Sequence, residues 1–382
     1  MAKIKILVVD DSAFMRKVIK DILETDPNLE VVGTAKNGQD ALDKIPDLMP
    51  DVVTLDVEMP VLDGLDTLNE LVGKYKLPVI MLSSTTQVGA ENTVIALERG
   101  AFDFIPKPSG SISLDLHKVG EELVTKVHLA FKYGIGRRGM NLSTTQSNRN
   151  STLKKETKPI TQKTPSVHLQ PWKKEPAGEK VDRTQGATDT KLKNVVLIGT
   201  STGGPKALQQ VLSNLPRFDH TAVLVVQHMP PGFTLSLAKR LDQLSAFDIS
   251  EAKDGDLIKG GHIYIAPGGY HMRIRNASSK LVIQLGQDPP KGGHRPSVDL
   301  LFESAEVITH QNLYSVVMTG MGKDGTEGLK KLQSSKKVYS ISEDESSCVV
   351  YGMPRAVYEA KLIHEVVPLD QIHEALKRLL KE

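Results

Sequence analysis

From Lys3 to about Tyr133, the chain alternates short apolar runs with segments whose apolar positions recur every three or four residues. The runs predict strands and the periodic segments predict amphipathic helices. The predicted strands are Ile6–Val9, Val31–Ala35, Val52–Leu55, Val79–Leu82 and Phe102–Ile105. Because strands that are apolar throughout are buried on both faces, this region predicts a parallel sheet covered by helices.

The pattern stops between about Gly136 and Lys191, where Ser, Thr, Gln, Asn, Lys and Pro dominate. Such a segment buries too little apolar surface to offset its ordering entropy, so we predict a mobile linker that contains the isolated Trp172. A structured insert is the alternative. We therefore place a first domain at 1–134, a linker at 135–191 and a second domain at 192–382.

The alternation returns from Asn194 to the end of the chain. Predicted strands are Val195–Ile198, Ala222–Gln227, His262–Ala266 and Tyr314–Met318, and predicted helices are Pro205–Leu215 and Gln371–Leu380. The expected fold class is α/β, with two doubly wound parallel-sheet domains joined by a flexible linker.

Composition narrows the class of protein further. The 382 residues favour two or three domains, and a net charge of +2 gives no reason to expect a nucleic-acid partner. A single cysteine, Cys348, excludes an intrachain disulfide and favours a reducing compartment. We find no signal-peptide pattern and no apolar run near the ~20 residues that cross a bilayer, so we expect a cytoplasmic protein without membrane insertion.

Polar residues follow the predicted strands of the first domain. Asp10 and Asp11 follow the first strand, Asp56 the third, and Ser83 and Lys107 the fourth and fifth. Because the carboxyl ends of parallel strands meet in one crevice, we expect these side chains to lie together. Each residue alone is more often a turn or cap residue. Together, carboxylates that suit Mg2+, a hydroxyl and a lysine predict a site that holds a phosphoryl group on Asp56.

The first domain resembles the response-regulator receiver domain, a flavodoxin-like fold, over its full length. The resemblance implies that Asp56 accepts the phosphoryl group. It implies that Asp11 and Asp56 bind Mg2+ by their side chains, that Glu58 does so by its backbone carbonyl, and that Asp10 helps through water.

The same resemblance implies roles for residues at the other strand ends. Ser83 would follow the phosphoryl group and Lys107 would pair with it. Phe104 would occupy the aromatic switch position, and the bond between Lys107 and Pro108 would be cis.

The second domain begins with a glycine-rich turn, Gly199-Thr-Ser-Thr-Gly-Gly. A dinucleotide fingerprint needs glycine where Ser201 stands and an acid about 20 residues later, where this chain has Gln227-His228. A P-loop is excluded because no Gly-Lys-Ser/Thr follows. The turn also has the G-x-S-x-G spacing, which holds a nucleophile between a strand and a helix. By itself this motif is weak.

Two other strand ends strengthen the nucleophile interpretation. His228 follows the strand that ends at Gln227, and Asp324 lies in the loop after the strand at Tyr314–Met318. Ser201, His228 and Asp324 therefore lie at one edge of the predicted sheet. Serine, imidazole and carboxylate are the nucleophile, general base and orienting acid of acyl transfer.

Five motifs of the second domain resemble the CheB family of chemotaxis protein-glutamate methylesterases. They are Gly-Thr-Ser-Thr-Gly-Gly, Gln-His-Met-Pro-Pro-Gly-Phe-Thr, Ile-Ala-Pro-Gly-Gly-Tyr-His, His-Arg-Pro-Ser-Val-Asp and Thr-Gly-Met-Gly-Lys-Asp-Gly. The receiver–linker–esterase order matches too, so the resemblance covers essentially the whole chain and implies a Rossmann-like αβα esterase domain.

The resemblance implies that Ser201 is the nucleophile, His228 the base and Asp324 the orienting acid, with Thr202 and Met321 supporting the oxyanion. Thr200 stands where many relatives have alanine, and we expect it to be tolerated. The loop with His294 and Arg295 would either touch an acidic receptor surface or be an ordinary solvated loop.

The implied function is a phosphorylation-activated esterase that demethylates glutamate γ-methyl esters on chemoreceptors, and that deamidates receptor glutamines, in chemotactic adaptation. A sensor histidine kinase would be the phosphodonor. The unphosphorylated receiver would cover Ser201, and the esterase chemistry would need no cofactor. The alternatives are a receiver-controlled DNA-binding regulator, which would need a basic recognition helix, and a nucleotide-binding dehydrogenase.

Overall fold

A computed structural model describes residues 2–107, 114–139, 192–278 and 280–381. Most of the predicted linker, with Trp172, lies outside these residues, as does Pro108 of the expected cis bond. The last helix of the first domain is Leu114–Gly139, so it passes the predicted boundary at residue 134 by five residues. The domain boundaries stay predictions. Within the described residues, no helix combines the length and apolar composition that crossing a membrane requires.

The first domain is a five-stranded parallel sheet with helices between its strands. The strand order is β2-β1-β3-β4-β5, a doubly wound arrangement. Its elements are β1 (Ile4–Val9), α1 (Ala13–Leu23), β2 (Leu29–Ala35), α2 (Gly38–Leu48), β3 (Val52–Asp56), α3 (Gly64–Gly73), β4 (Val79–Ser83), α4 (Gln87–Glu98), β5 (Asp103–Pro106) and α5 (Leu114–Gly139).

Side-chain caps start four helices of the first domain. Ser12, Asn37, Asp63 and Thr86 each accept a hydrogen bond from the backbone N–H three residues later. Such caps satisfy N–H groups that have no partner inside the helix. They fix where each helix leaves the carboxyl edge of the sheet, and so they fix the rim around Asp56.

The second domain is a seven-stranded parallel sheet of order β14-β13-β12-β6-β7-β9-β8. Its elements are β6 (Asn194–Thr200), α6 (Gly204–Asn214), β7 (Thr221–Gln227), α7 (Phe233–Leu244), β8 (Asp248–Glu251), β9 (His262–Ile265), β10 (His271–Ala277), β11 (Lys280–Gly286), α8 (Val298–Ser304), β12 (Asn312–Val317), α9 (Thr326–Ser335), β13 (Val338–Glu343), α10 (Met353–Glu359), β14 (Glu365–Val367) and α11 (Leu369–Leu380). The predicted fold class is confirmed, and β10 and β11 add an antiparallel hairpin that the sequence did not predict.

The two domains pack against each other through α4 and β5 of the first and α6 and α7 of the second. Buried apolar residues of these four elements belong to one continuous cluster. At its centre the rings of Phe104 and Phe233 lie 4.7 Å apart. At its edge Arg240 on α7 donates two hydrogen bonds to the carboxylate of Glu98 on α4, at 2.8 and 3.0 Å. The expected switch residue Phe104 therefore lies in the domain interface.

Candidate active site and phosphoacceptor site

The acidic crevice of the first domain forms where β1 and β3 end. Carboxylate oxygens of Asp10, Asp11 and Asp56 all lie within 4.8 Å of one another. Lys107 Nζ lies 2.7 Å from Asp56 and 2.8 Å from Asp10. Burial raises the pKa of Asp56 to about 6, aided by the charge on Asp10 and opposed by Lys107. One lysine therefore does not compensate these carboxylates fully.

This donor set fits Mg2+, which prefers carboxylate oxygens and keeps several waters. Asp10 and Asp56 are buried, whereas Asp11 lies at the solvent edge, where a hydrated cation can enter. The backbone N–H of Glu58 donates to Asp56 Oδ1 at 3.3 Å, so the Glu58 backbone borders the same crevice. An acidic site of the kind that a receiver domain uses for Mg2+ is thus present.

Ser83 ends β4 and is fully buried. Its hydroxyl donates to the carbonyl of Gly89 at 3.0 Å and accepts from the Thr93 hydroxyl at 2.6 Å. Both partners belong to α4, the helix that packs on the second domain. Ser83 therefore connects the carboxyl end of β4 to the domain interface.

Ser201 lies in the turn between β6 and α6, half-buried. Its backbone N–H donates to Thr319 at 3.0 Å, and its carbonyl accepts from Gly204 N–H at 2.8 Å. Gly203 has φ of 80°, which an L side chain rarely adopts. A Cβ on Gly320 would lie 2.8 Å from Ser201 Cβ. The turn is therefore tight and pressed against the loop that follows β12.

His228 follows β7, and its ring is hydrogen-bonded through Nε2 to Asp324 Oδ2 at 2.8 Å. Burial alone would raise the pKa of Asp324, but hydrogen bonds and the His228 ring lower it to about 2. A carboxylate that accepts several N–H bonds is stabilised in its charged form. Its donors are the side chains of His228 and Ser297 and the backbone N–H groups of Val298, Asp299 and Gly325.

The backbone of His228 is joined to the serine turn, since its N–H donates to Thr200 at 3.1 Å. The ring atom Nδ1 is buried and has no hydrogen-bond partner within the described part of the chain. The Ser201 hydroxyl is therefore not hydrogen-bonded to His228 in this structure. Such contacts are often long in free enzymes and tighten when substrate binds. The structure brings His228 and Asp324 into contact, and among the described residues it leaves Nδ1 as the ring nitrogen without a hydrogen-bond partner.

His294 stacks on His228, with ring centroids 3.9 Å apart and planes 7° from parallel. Burial and the neighbouring His228 lower the pKa of His294 to about 4. A neutral imidazole therefore covers one face of His228 near pH 7. The sequence left two roles open for the loop with His294, a receptor contact or an ordinary solvated loop. In the structure the His294 ring packs on His228, the candidate base.

The two predicted oxyanion supports have different surroundings. Thr202 is buried, and its hydroxyl donates to Asp103 Oδ2 of the first domain at 2.6 Å. Met321 lies in the loop after β12, with 44% of its surface exposed. The start of α6 adjoins Ser201, and within the described residues no side chain caps that helix. The positive end of the helix dipole therefore lies next to Ser201, where it would stabilise an oxyanion.

The fold and its two sites define a response-regulator receiver joined to an α/β domain with a serine, histidine and aspartate at its sheet edge. Residues 6–117 match the response regulator receiver domain, and residues 196–376 match the CheB methylesterase family. The chain belongs to the CheB methylesterase family, as the sequence motifs predict.

Relatives match over the full length of the chain. A protein of Halalkalibacterium halodurans, named protein-glutamate methylesterase/protein-glutamine glutaminase, is 48% identical over 381 residues and covers 100% of this chain and 99% of its own. A Bacillus subtilis protein of the same name is 45% identical over 379 residues, with 99% of each chain covered.

Two solved structures from Thermotoga maritima match the two halves. The CheB methylesterase catalytic domain is 41% identical, with a TM-score of 0.47, and covers 49% of this chain and 98% of its own. The response regulator domain of CheB is 50% identical, with a TM-score of 0.32, and covers 34% of this chain and 97% of its own.

Proposed function

We propose that this chain is a phosphorylation-activated serine esterase that hydrolyses glutamate γ-methyl esters on chemoreceptors and deamidates receptor glutamines. The observation that carries the proposal is the His228–Asp324 pair, held at 2.8 Å beside the serine turn. The names of the full-length relatives support the substrate class. The resulting loss of methyl groups would return negative charge to the receptor and reset its signalling.

The chemistry follows from the roles of three side chains. His228 takes the Ser201 hydroxyl proton as the serine oxygen attacks the ester carbonyl carbon. The tetrahedral oxyanion lies at the start of α6, near the Met321 loop. The protonated imidazole gives its proton to the leaving methoxide, so methanol departs. Water, deprotonated by His228, then cleaves the acyl-enzyme to glutamate, and Asp324 stabilises the imidazolium in both steps.

A primary amide can follow the same route. Attack on a glutamine side chain forms the same acyl-enzyme, and the leaving group is ammonia. The two activities therefore share one acyl intermediate and one hydrolysis step.

Control would come from the first domain, with a chemotaxis sensor histidine kinase as phosphodonor. Asp56 would accept the phosphoryl group, Lys107 would pair with its charge, and Asp10, Asp11, Asp56 and the Glu58 carbonyl would hold Mg2+. The metal, when bound, supplies positive charge that offsets the phosphoryl oxygens.

Two sets of contacts near the interface support a route by which this control would reach Ser201. Asp103 of the first domain binds the hydroxyl of Thr202, the residue next to the proposed nucleophile. A phosphoryl group on Asp56 would attract the Ser83 hydroxyl, which now bonds Thr93 and Gly89 of α4. Moving α4 would change the free energy of the docked state, and only such a difference shifts the docked population.

The experiment that tests the proposal is methanol release from methylated receptor membranes. Ser201→Ala should abolish release, because the attacking hydroxyl is gone. Ser213→Ala, an exposed serine at the far end of α6, is the matched control and should release methanol at the wild-type rate. Full activity of Ser201→Ala would end the assignment.

The cytoplasmic location, the absence of a nucleic-acid partner and the cofactor-free esterase chemistry stay predictions. A gel-shift assay with DNA separates the transcriptional alternative from the esterase, since only the former predicts a retarded band.

A further inference from the structure

Gln227 ends β7 and is only 2% exposed. Its side-chain Nε2 donates to the carbonyl of Ser201 at 2.9 Å and to the carbonyl of His228 at 3.0 Å. A glutamine amide has two N–H donors, and here both are used. One buried amide therefore joins the backbones of the proposed nucleophile and the proposed base.

Thr200 completes this arrangement from the neighbouring strand. It pairs with Gln227 in the register of β6 and β7, and its hydroxyl donates to Gln227 Oε1 at 2.6 Å. Thr200 is fully buried. The hydroxyl satisfies the amide oxygen, which would otherwise be buried without a hydrogen-bond donor and would destabilise the site.

Gly204, at the start of α6, leaves space for the side chains of Thr200 and Gln227. A Cβ on Gly204 would lie 2.0 Å from Gln227 Oε1 and 2.8 Å from Thr200 Oγ1. Glycine at 204 therefore allows the amide to lie against the first turn of the helix. We call Thr200 and Gln227 the amide clamp.

We propose that the amide clamp positions Ser201 and His228 for the reaction. The proposal rests on the proposed function of these two residues and adds two positioning residues to it. Because the Ser201 hydroxyl and His228 Nδ1 are not hydrogen-bonded in this structure, their spacing comes from the backbone that carries them. The amide clamp fixes that backbone at both residues.

The variants follow from this geometry. Gln227→Met keeps the length of the side chain but removes both donors. Thr200→Val keeps the shape and removes the hydroxyl, and Thr200→Ser restores it. Thr221→Val is the matched control, because Asn194 and Thr221 form a hydrogen bond of 3.2 Å between the same two strands at their opposite ends.

The test measures kcat and KM for methanol release by the full-length chain, with melting temperature for each variant. Since a misplacement of about 1 Å can cost about 100-fold, we expect Gln227→Met to lower kcat by about 10- to 100-fold, with KM little changed. Thr200→Val should lower kcat less, and Thr200→Ser should recover it. Thr221→Val should lower the melting temperature as Thr200→Val does and leave kcat at the wild-type value.

Two results would overturn the proposal. One is wild-type kcat in folded Gln227→Met and Thr200→Val. The other is an equal loss of kcat in Thr221→Val, which would show a general stability effect. If Gln227→Met does not fold, the Thr200→Val and Thr200→Ser pair decides. Activity of Ser201→Ala would instead overturn the proposed function, so the two failures are distinguishable.

Discussion

Asp56 and Asp324 both lie at the carboxyl edge of a parallel sheet, yet their pKa values move in opposite directions. Burial raises the pKa of Asp56 to about 6, and the charge of Asp10 acts in the same direction. Lys107 and the Glu58 N–H, at 3.3 Å, stabilise the charged form, but they do not offset the burial. Burial acts on Asp324 in the same direction, but its N–H and O–H donors and His228 lower its pKa to about 2. Burial alone therefore does not decide the charge of a carboxylate; its donors do.

The difference matches the two proposed roles. The first site has an incompletely compensated negative charge, so it gains from a bound cation, and a phosphoryl group on Asp56 would add negative charge and increase that gain. The second keeps a permanent negative charge, which orients His228 and stabilises its protonated form.

Asp324→Asn removes the permanent charge. By analogy with the serine-protease triad, we expect kcat for methanol release to fall by about 10³- to 10⁴-fold.

The lowered pKa of Asp324 also affects stability. Above pH 4 the charged carboxylate adds about 2 kcal/mol to the free energy of unfolding, and this contribution is lost as the pH falls through about 2.

The matched control for this prediction is Asp299→Asn. Asp299 is a neighbouring buried carboxylate that accepts N–H bonds from Gly325 and Gly328, but burial and the nearby charge of Asp324 raise its pKa. It should lose less than tenfold in kcat. An equal loss of kcat in Asp324→Asn and Asp299→Asn would show that the permanent charge of Asp324 is not what supports catalysis.

Asp56→Asn removes the uncompensated charge. Because the folded pKa is raised, the stability from the neutral carboxyl is present below pH 4 and lost as the pH rises through about 6. The variant should therefore be more stable than wild type at pH 8, by about 3 kcal/mol, and equal to it near pH 4. Chemical denaturation at both pH values in the absence of Mg2+ checks this, and a destabilised variant at pH 8 would contradict it.

Glu98→Gln weakens the interface between the two sites. The paired Arg240 is partly exposed, so we expect a loss of about 1 kcal/mol in docking and a rise of about fivefold in basal methanol release. Glu91→Gln on the exposed face of the same helix should change nothing, since Glu91 bonds to Gln87 within α4. Unchanged activity in Glu98→Gln would argue against occlusion by docking.

Most of the strands were predicted from the sequence, because a buried parallel strand is a continuous apolar run. The residues at their ends were predicted as well, because the carboxyl ends of parallel strands border one crevice. The antiparallel hairpin β10–β11 was missed, since its burial alternates only in part and its apolar run resembles a parallel strand. The parallel strands β8, β13 and β14 were also not assigned.

Contacts between residues far apart in the chain could not be predicted from the sequence. In the sequence analysis, Gln227 only marked where a dinucleotide site would need a ribose-binding acid. Thr200 was noted only as a residue that the glycine-rich turn would tolerate in place of alanine. Their hydrogen bond depends on the register of β6 and β7, which one sequence does not reveal. The stacking of His294 on His228 and the Thr202–Asp103 bond likewise depend on loop paths and domain docking.

The most direct test is the rate of methanol release from methylated receptor membranes with and without a small phosphodonor. We expect the phosphodonor to stimulate the wild-type chain but not Asp56→Asn, and we expect Ser201→Ala to release no methanol in either condition. Methanol release by Ser201→Ala at the wild-type rate would contradict it.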